Sequence, residues 1–263
     1  MHRPHSGAPR KRFGQNFLTD AGVVARIMQT IRAQPDDVVV EIDRDFAAQW
    51  RARENERLTV HEGDALDFDF AVLAGNGAKL RVVGNLPYNI STPLLFHLLA
   101  QGEVIRDMHF MLQREVVERL GAAPGGADYG RLSVMVQYQC RVQPLLAVPT
   151  ESFYPPPRVH SAVVRLVPGY FDHGVCVAPA MLRQLVGQAF TQRRKTLRNA
   201  LAGLLDVGTM EALVIDPRRR PETLSVAEFV RLADAASALS AAPLPCAGEG
   251  LGERADHDGE ENS

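Results

Sequence analysis

Short apolar runs alternate with amphipathic stretches along the first two thirds of the chain. From 20 to 33, apolar residues repeat at helical spacing behind Asp20, a residue type favoured at helix N-caps. Further helices are predicted at 44–54 and 92–100, and strands at 37–42, 58–62, 80–84, 107–113, 143–149 and 161–167, the fourth running into a helix. This order predicts an α/β fold with a mostly parallel, doubly wound, Rossmann-like sheet and an antiparallel edge.

The pattern changes along the chain in a way that predicts separate regions. From about 179 onward it is helical only, which indicates a second, smaller domain. The last residues are rich in Ala, Pro, Gly and acids, have little to bury, and are predicted to be disordered. The predicted regions are a basic N-terminal segment (1–19), a Rossmann-like domain (20–170), a helical C-terminal domain (171–239) and an acidic tail (240–263).

The composition is that of an ordinary globular protein, with 263 residues and 46% hydrophobic content. Its three cysteines are far apart and in no metal-ligand spacing, which indicates a reducing compartment without a disulfide framework. No apolar run approaches the length of a membrane span, and the histidines form no metal-binding motif. We therefore predict a cytoplasmic protein with neither a membrane segment nor a metal, and a monomer.

Charge is distributed unevenly behind a formal net charge of −2. The tail 240–263 carries six acidic residues and one arginine, whereas residues 1–16 carry four basic residues and no acid. A second basic block, "TQRRKTLRNAL", lies at 191–201. These two basic blocks predict a polyanionic partner.

The block at 191–201 is predicted to be helical. Arg194 and Arg198 are four residues apart and would share a face with the nearby Lys195, while Leu197 would point the other way. A solvated charged face and a phosphate-binding face are both open on this pattern alone. If this face binds phosphate, the residues that do so are predicted to be Arg193, Arg194, Lys195 and Arg198.

The strongest chemical signal is "VVGNLPYNIST" at 82–92. Asn85 directly follows a strand, which places it at the carboxyl end of the sheet, where open α/β folds bind ligands. The amide oxygen of Asn85 and the backbone carbonyl near Leu86 can accept both hydrogens of a base amino group, while Pro87 stiffens the turn and Tyr88 stacks on the ring. An ordinary strand-terminating turn is the alternative, because Asn, Pro and Tyr are common turn residues.

Seven ordered motifs resemble the small-subunit ribosomal RNA adenine dimethyltransferase family, over nearly the whole chain. They are "KRFGQNFL" (11–18), "GNLPYNISTPLLFHLL" (84–99), "FMLQREVVERL" (110–120), "YGRLSVMVQY" (129–138), "FYPPPRVHSAVVRL" (153–166), "FTQRRKTLRNAL" (190–201) and "PETLSVAEF" (221–229). The resemblance implies S-adenosylmethionine as methyl donor and dimethylation of two adjacent adenines near the 3′ end of small-subunit (16S) rRNA. It also implies a C-terminal helical domain that docks on the immature 30S subunit.

The resemblance also implies roles for individual residues. Base capture falls on Asn85, Leu86, Pro87 and Tyr88, with Phe153 as the second aromatic that sandwiches the target base. The cofactor contacts fall on Asn16, Leu18, Glu41 as the ribose acid with Asp43 as its alternative, Asp64 for the adenine amino group, and Asn85. One departure is His160, where the family usually has an acid.

The segment "PDDVVVEIDRDF" at 35–46 departs from the family pattern. The resemblance implies two strands here, the first followed by a glycine-rich loop and the second ending in the ribose acid. This chain has one run for both, with no glycine between Gly22 and Gly63. We infer that a βα unit of roughly two dozen residues is absent, together with the glycines that let the backbone approach the cofactor.

Two other functions stay open on the sequence. A catalytically impaired relative could still bind pre-ribosomal RNA as an assembly factor, because its basic surfaces are separate from the missing segment. A large-subunit rRNA adenine methyltransferase would share the chemistry of the motif at 85–88. The C-terminal motifs at 190–201 and 221–229 favour the small-subunit type.

Overall fold

The computed structural model describes residues 16–34, 37–42, 59, 61, 63–74, 77, 79–86, 90–169 and 173–241. The predicted helix 44–54 lies outside these residues, as do most of the predicted strand 58–62, nearly all of the basic N-terminal segment and nearly all of the acidic tail. Among the described residues, no helix is long and apolar enough to cross a membrane.

The predicted elements that fall within the described residues occur in the predicted order, and the short strands at 17–18 and 153–154 and the helix at 131–139 are additional. The strands are β1 (Phe17–Leu18), β2 (Val38–Glu41), β3 (Leu80–Asn85), β4 (Ile105–Gln113), β5 (Cys140–Val148), β6 (Phe153–Tyr154) and β7 (Ser161–Pro168). The α-helices are α1 (Ala21–Ile31), α2 (Ser91–Ala100), α3 (Arg114–Leu120), α4 (Arg131–Gln139), α5 (Pro179–Thr191), α6 (Leu197–Ala200), α7 (Val207–Ala212) and α8 (Val226–Ala241). Short 3₁₀ turns occur at Phe70–Leu73, Gly102–Val104, Thr150–Ser152 and Pro221–Thr223.

The main sheet of the described residues has the strand order β2-β3-β4-β7-β5. β2, β3 and β4 are parallel, and β7 runs antiparallel to both of its neighbours. The core strands form because their apolar runs are buried on both faces; Leu80, Val82 and Phe110 are 0% exposed. The predicted α/β class and the antiparallel edge of the sheet are confirmed.

The β-branched run at 37–42 predicts a buried parallel strand; the burial is wrong, although the direction is right. β2 pairs in parallel with β3, but Val38 and Val39 remain 37% and 44% exposed. In the described part of the chain β2 has a strand partner on one side only, so its β-branched residues are not enclosed as they are in a central strand.

The helical region begins at Pro179, as predicted, but its core reaches back into the preceding domain. Helix α4 supplies Val134, Met135 and Tyr138 to the apolar cluster that holds α5 and α8, and Tyr129 joins them. The hydroxyl of Tyr129 donates to the Leu224 carbonyl at 2.8 Å. The two regions therefore share side chains across a common interior.

The helix predicted through the basic block is interrupted. α5 ends at Thr191, a turn follows, and α6 begins at Leu197. The predicted common helical face of Arg194 and Arg198 is therefore wrong, because four residues span one helical turn only where the helix is continuous. The inward direction of Leu197 is confirmed, since it is 0% exposed.

Candidate active site

The carboxyl end of β3 presents the predicted base-capturing amide. Asn85 is the last residue of this strand, is exposed, and lies opposite Met111 of β4. Leu86 then turns inward, where it is 1% exposed and its N–H donates to the Met111 carbonyl at 3.3 Å. The polypeptide direction at Asn85 is thus fixed by the neighbouring strand. Pro87 and Tyr88 lie outside the described residues.

A small second sheet brings together two segments of the predicted site, one near Leu18 and one near Phe153. β1 pairs antiparallel with β6, so that Leu18 lies opposite Phe153 although 135 positions separate them in the sequence. The Thr19 N–H donates to the Ser152 carbonyl at 2.9 Å, which extends this pairing by one bond. The segment predicted to contact the cofactor is therefore held against the loop predicted to contact the target base.

Met111 connects this small sheet to the strand that carries Asn85. It is part of an apolar cluster with Val23 and Phe153, against which Leu18 packs. Phe153 is 5% exposed, so its ring is a core contact in this structure. Its stacking on a target base remains a prediction, as does the partner role of Tyr88.

Helix α1 begins at the same place. The Asp20 carboxylate accepts the N–H groups of Gly22 and Val23 at 2.8 and 3.1 Å, as expected of an N-cap. This confirms the helix start predicted from the sequence. The cap fixes the direction in which the chain leaves Leu18 and enters the helix.

Glu41 occupies the position of the first strand in the doubly wound sheet. In this fold the first strand lies beside the fourth, and β2 pairs directly with β3, the strand that ends at Asn85. Glu41 is exposed and lies opposite Val83. A second-strand acid would stand about 4.8 Å farther from Asn85. The ribose-binding role of Glu41 remains a prediction, and Asp43 lies outside the described residues.

Close backbone packing marks the ends of β2 and β3. A Cβ atom added to Gly84 would lie 3.2 Å from Leu86 Cδ2 and 3.4 Å from the Ile42 carbonyl oxygen. The Ile42 N–H donates to the Val83 carbonyl at 3.1 Å, which holds the chain at this distance. A side chain at position 84 would therefore crowd the Leu86 side chain and just reach contact with the Ile42 carbonyl.

Asp64 is exposed and forms a local turn. Its Oδ1 accepts the Leu66 N–H at 2.9 Å, and its carbonyl accepts the Asp67 N–H at 3.1 Å. A carboxylate has further acceptor sites beyond this one bond. The predicted hydrogen bond to a cofactor amino group is compatible with the turn and stays a prediction.

The predicted RNA-contacting residues differ in their surroundings. Arg193 donates from Nε to Glu222 Oε2 at 2.8 Å and from Nη2 to the Ala127 carbonyl at 2.8 Å. Arg194, Lys195 and Arg198 are exposed. Three of the four cations therefore face solvent, while the fourth bridges two parts of the protein.

His160, the departure from the family pattern, is exposed. Its backbone carbonyl accepts the Arg114 N–H at 2.9 Å, at the point where β4 passes into α3. The backbone at this position therefore has a structural role that any side chain would permit.

The sequence reasoning missed a buried ionic cluster at the opposite end of the strands. Asp107 is 0% exposed and accepts hydrogen bonds from Arg81 and Arg165. Burial alone raises the pKa of Asp107, but the bonds from the two guanidinium groups outweigh it and hold that pKa below its usual value. The cluster could have been predicted from Arg81, Asp107 and Arg165, which are charged residues inside otherwise apolar strands. Among the described residues, no group of side chains could hold a metal ion.

The parallel strands of this chain end in polar residues at the carboxyl edge of the sheet. This arrangement is typical of α/β proteins that bind nucleotide-like ligands at the ends of their strands. The chain belongs to the ribosomal RNA adenine dimethylase family, whose model matches residues 36–237.

Two relatives illustrate how close the match is. The chain is 52% identical over 250 residues to ribosomal RNA small subunit methyltransferase A of Chromobacterium violaceum, covering 86% of this chain and 95% of that one. It is 51% identical over 250 residues to the protein of the same name from Pseudomonas aeruginosa, covering 86% and 93%.

Solved structures share the fold. A dimethyladenosine transferase from Plasmodium falciparum superposes with a TM-score of 0.68 at 24% identity, covering 82% of this chain and 95% of that one. The 23S rRNA methyltransferase ErmE superposes with a TM-score of 0.63 at 20% identity, covering 84% and 100%. Both likenesses support the Rossmann-like methyltransferase fold.

Proposed function

We propose that the protein transfers methyl groups from S-adenosylmethionine to the amino groups of two adjacent adenines near the 3′ end of small-subunit rRNA, as a cytoplasmic monomer acting on the immature 30S subunit. The observation that carries this proposal is the exposed amide of Asn85 at the carboxyl end of β3 in a chain of this family. The names of the relatives support the small subunit as the site of action.

Asn85 and Leu86 orient the amino group. The Asn85 side-chain oxygen and the Leu86 backbone carbonyl accept its two hydrogens, which directs the nitrogen lone pair out of the base plane. No strong base is required, because the proton leaves a nitrogen that has already become positively charged. S-adenosylmethionine supplies the electrophilic methyl group when bound.

The residues present fit part of this cofactor. The exposed carboxylate of Asp64 suits an adenine amino group, whereas Glu41 lies at the first-strand position, one strand spacing from where a second-strand ribose acid would be. No glycine occurs between Gly22 and Gly63, so no glycine-rich turn follows β2 to let the backbone approach the rest of the molecule. We infer weak binding of S-adenosylmethionine.

Isothermal titration calorimetry tests this inference. If two to three backbone hydrogen bonds are lost at about 1 kcal/mol each, the affinity falls by about 30-fold to 200-fold relative to a chain with the complete loop. Insertion of a family-type glycine-rich βα segment after Ile42, followed by a second "VVEI" strand, should restore tight binding. Tight binding by the natural chain would contradict the inference.

Methyl transfer tests the function itself. Immature 30S subunits and tritiated S-adenosylmethionine at high concentration should yield dimethyladenosine with the natural chain, faster with the chain that carries the insertion. Asn85→Ala should abolish transfer while leaving RNA binding nearly intact, because it removes one acceptor and no phosphate contact. Equal loss of transfer and binding would contradict the role of Asn85.

One observation favours a second candidate function, an RNA-binding assembly factor with impaired catalysis. Arg194, Lys195 and Arg198 are exposed at a site remote in sequence from β2. Retention of 30S binding together with no methyl transfer, even at saturating cofactor, would establish this alternative.

A further inference from the structure

We propose that Tyr154 is a stacking platform for the nucleotide next to the target adenine, on an outward aromatic face that it forms with Phe17. The proposal rests on the proposed function, since it needs an RNA strand at the cleft. It concerns a residue outside the predicted base-capturing set.

The two faces of the small sheet define this surface. In the antiparallel pair β1–β6, Phe17 lies opposite Tyr154 and Leu18 lies opposite Phe153. Side chains alternate along a strand, and directly opposed residues share a face. Leu18 and Phe153 belong to the apolar cluster around Met111. Phe17 and Tyr154 therefore occupy the opposite face, where Tyr154 is 66% exposed.

The loop that follows restricts the backbone at Tyr154. Pro155 and Pro156 come next in the chain, and their rings limit the backbone conformations open to this residue. A tyrosine with only two side-chain torsions also loses little entropy on binding. Stacking on Tyr154 is therefore expected to have a small ordering cost.

The charge around the platform matches an RNA strand. Arg158 and His160 are exposed on the same loop as Tyr154. Cations beside an exposed aromatic ring are the combination that binds single-stranded nucleic acid, with phosphates on the cations and bases on the ring.

The position relative to Asn85 selects which nucleotide is bound. A base that reaches Asn85 must leave the stack, and its neighbours in the strand then stay outside the site with one face uncovered. Phe153, immediately before Tyr154, packs in the cluster with Met111, which lies opposite Asn85. Tyr154 is one residue beyond this chain of contacts, on the outward face of the small sheet, and that is where we propose that the base next to the target stacks.

A fluorescent RNA hairpin tests the proposal. The loop contains two adjacent adenines, and pyrrolocytosine is placed on their 5′ or 3′ side. This fluorescent cytosine analogue does not present the hydrogen-bonding edge of adenine, so it does not replace the target base. Its emission changes when it stacks on an aromatic ring. We expect the wild-type protein to change the emission at one of the two positions. Tyr154→Ala and Tyr154→Leu should abolish that change and weaken hairpin binding by about fivefold or more, whereas Tyr154→Phe should retain both.

The matched control is Val159→Ala, which trims another exposed side chain of the same loop, 42% exposed in the native protein, and should leave emission and affinity unchanged. Wild-type binding without an emission change at either position would overturn this proposal and leave the proposed function standing. Equal behaviour of Tyr154→Ala and wild type would also overturn it. Failure of the wild type to bind the hairpin would overturn this proposal alone, because the proposed function is tested separately by methyl transfer to immature 30S subunits.

Discussion

Arg81 and Asp107 form a two-bond ion pair inside the sheet, at partner positions of adjacent parallel strands. Nε and Nη2 of Arg81 donate to the two carboxylate oxygens of Asp107 at 2.9 and 3.1 Å. The other donors bind Asp37 at 2.9 Å and the carbonyls of Ile31 and Arg32 at 2.6 and 3.1 Å. All five N–H groups are therefore used, and two of them satisfy carbonyls at the C-terminal end of α1.

Arg81→Met should lower the free energy of unfolding by about 3 kcal/mol, because it leaves a buried carboxylate without its principal partner. The matched control is Arg106→Met. Arg106 also binds Asp37, at 2.6 Å, but its side chain is 52% exposed, so its loss should cost less than about 1 kcal/mol. Urea unfolding followed by circular dichroism measures both. Equal losses would show that the buried pair has no special weight.

His109 should make the protein less stable in acid. Its side chain is 1% exposed, both ring nitrogens lack a hydrogen-bond partner, and burial lowers its pKa to about 4 from the ordinary 6.5. The nearby Asp107 opposes this shift and the Arg81 and Arg165 charges add to it. Between pH 6.5 and 4 the unfolded chain binds a proton that the folded protein excludes, so stability falls as pH decreases through this window.

The measurement is the difference in unfolding free energy between wild type and His109→Phe across that pH range. Between pH 6.5 and 4 the unfolding free energy of the wild type should decrease by up to about 3 kcal/mol more than that of His109→Phe. His160→Gln replaces an exposed imidazole and should follow wild type. Parallel curves for wild type and His109→Phe would contradict the assignment.

Much of the sheet could be predicted because each of its longer strands is a run of mostly apolar residues. The apolar runs at β3 and β4 predicted both their positions and their parallel direction, and Asn85, the last residue of β3, was correctly expected at the carboxyl edge. Patterns of this kind depend on burial within a few neighbouring residues.

Features that depend on distant residues could not be predicted. β1 and β6 have two residues each, too few for any period, and pair only because the intervening chain has folded. Helix α4 was not predicted at all: it is buried both toward the sheet, through Val136, and toward the helical region, through Met135, so a one-sided apolar pattern is absent. The break after Thr191 likewise follows from tertiary contacts, among them the bond from Leu197 N–H to the Arg219 carbonyl at 2.8 Å.

Val214→Gly should stabilise the protein by about 1 kcal/mol. Val214 has φ +58, a left-handed conformation that a β-branched residue rarely adopts, and it is 87% exposed. Its N–H donates to the Glu211 carbonyl at 2.9 Å and the next N–H, of Ile215, donates to the Met210 carbonyl at 3.0 Å. This is the helix-terminating arrangement in which glycine is the usual residue.

Thermal unfolding by calorimetry measures the gain. Val214→Ala removes most of the same exposed apolar surface but keeps the Cβ atom, so it separates backbone strain from surface effects. It should give a clearly smaller gain than glycine. Equal gains in the two variants would indicate that the strain at Val214 is not what limits stability.

Arg193→Ala and Arg194→Ala should distinguish a contact within the protein, made by Arg193, from an RNA contact made by Arg194. The Arg193 guanidinium already binds Glu222 and the Ala127 carbonyl, and the Glu222 carbonyl accepts the Gly125 N–H at 2.7 Å, so this side chain joins the loop after α3 to the helical region. Arg194, the next residue, is exposed.

A phosphate contact releases counterions, whereas a contact within the protein does not. Arg194→Ala should therefore lower the slope of log affinity against log salt by about one unit, while Arg193→Ala leaves it unchanged. Anisotropy titrations of labelled rRNA fragments at four salt concentrations give these slopes, and the same decrease in both variants would place Arg193 on the RNA. Arg193→Ala should instead lower the unfolding free energy by about 1 kcal/mol, because it removes a half-exposed ion pair and one hydrogen bond to a backbone carbonyl.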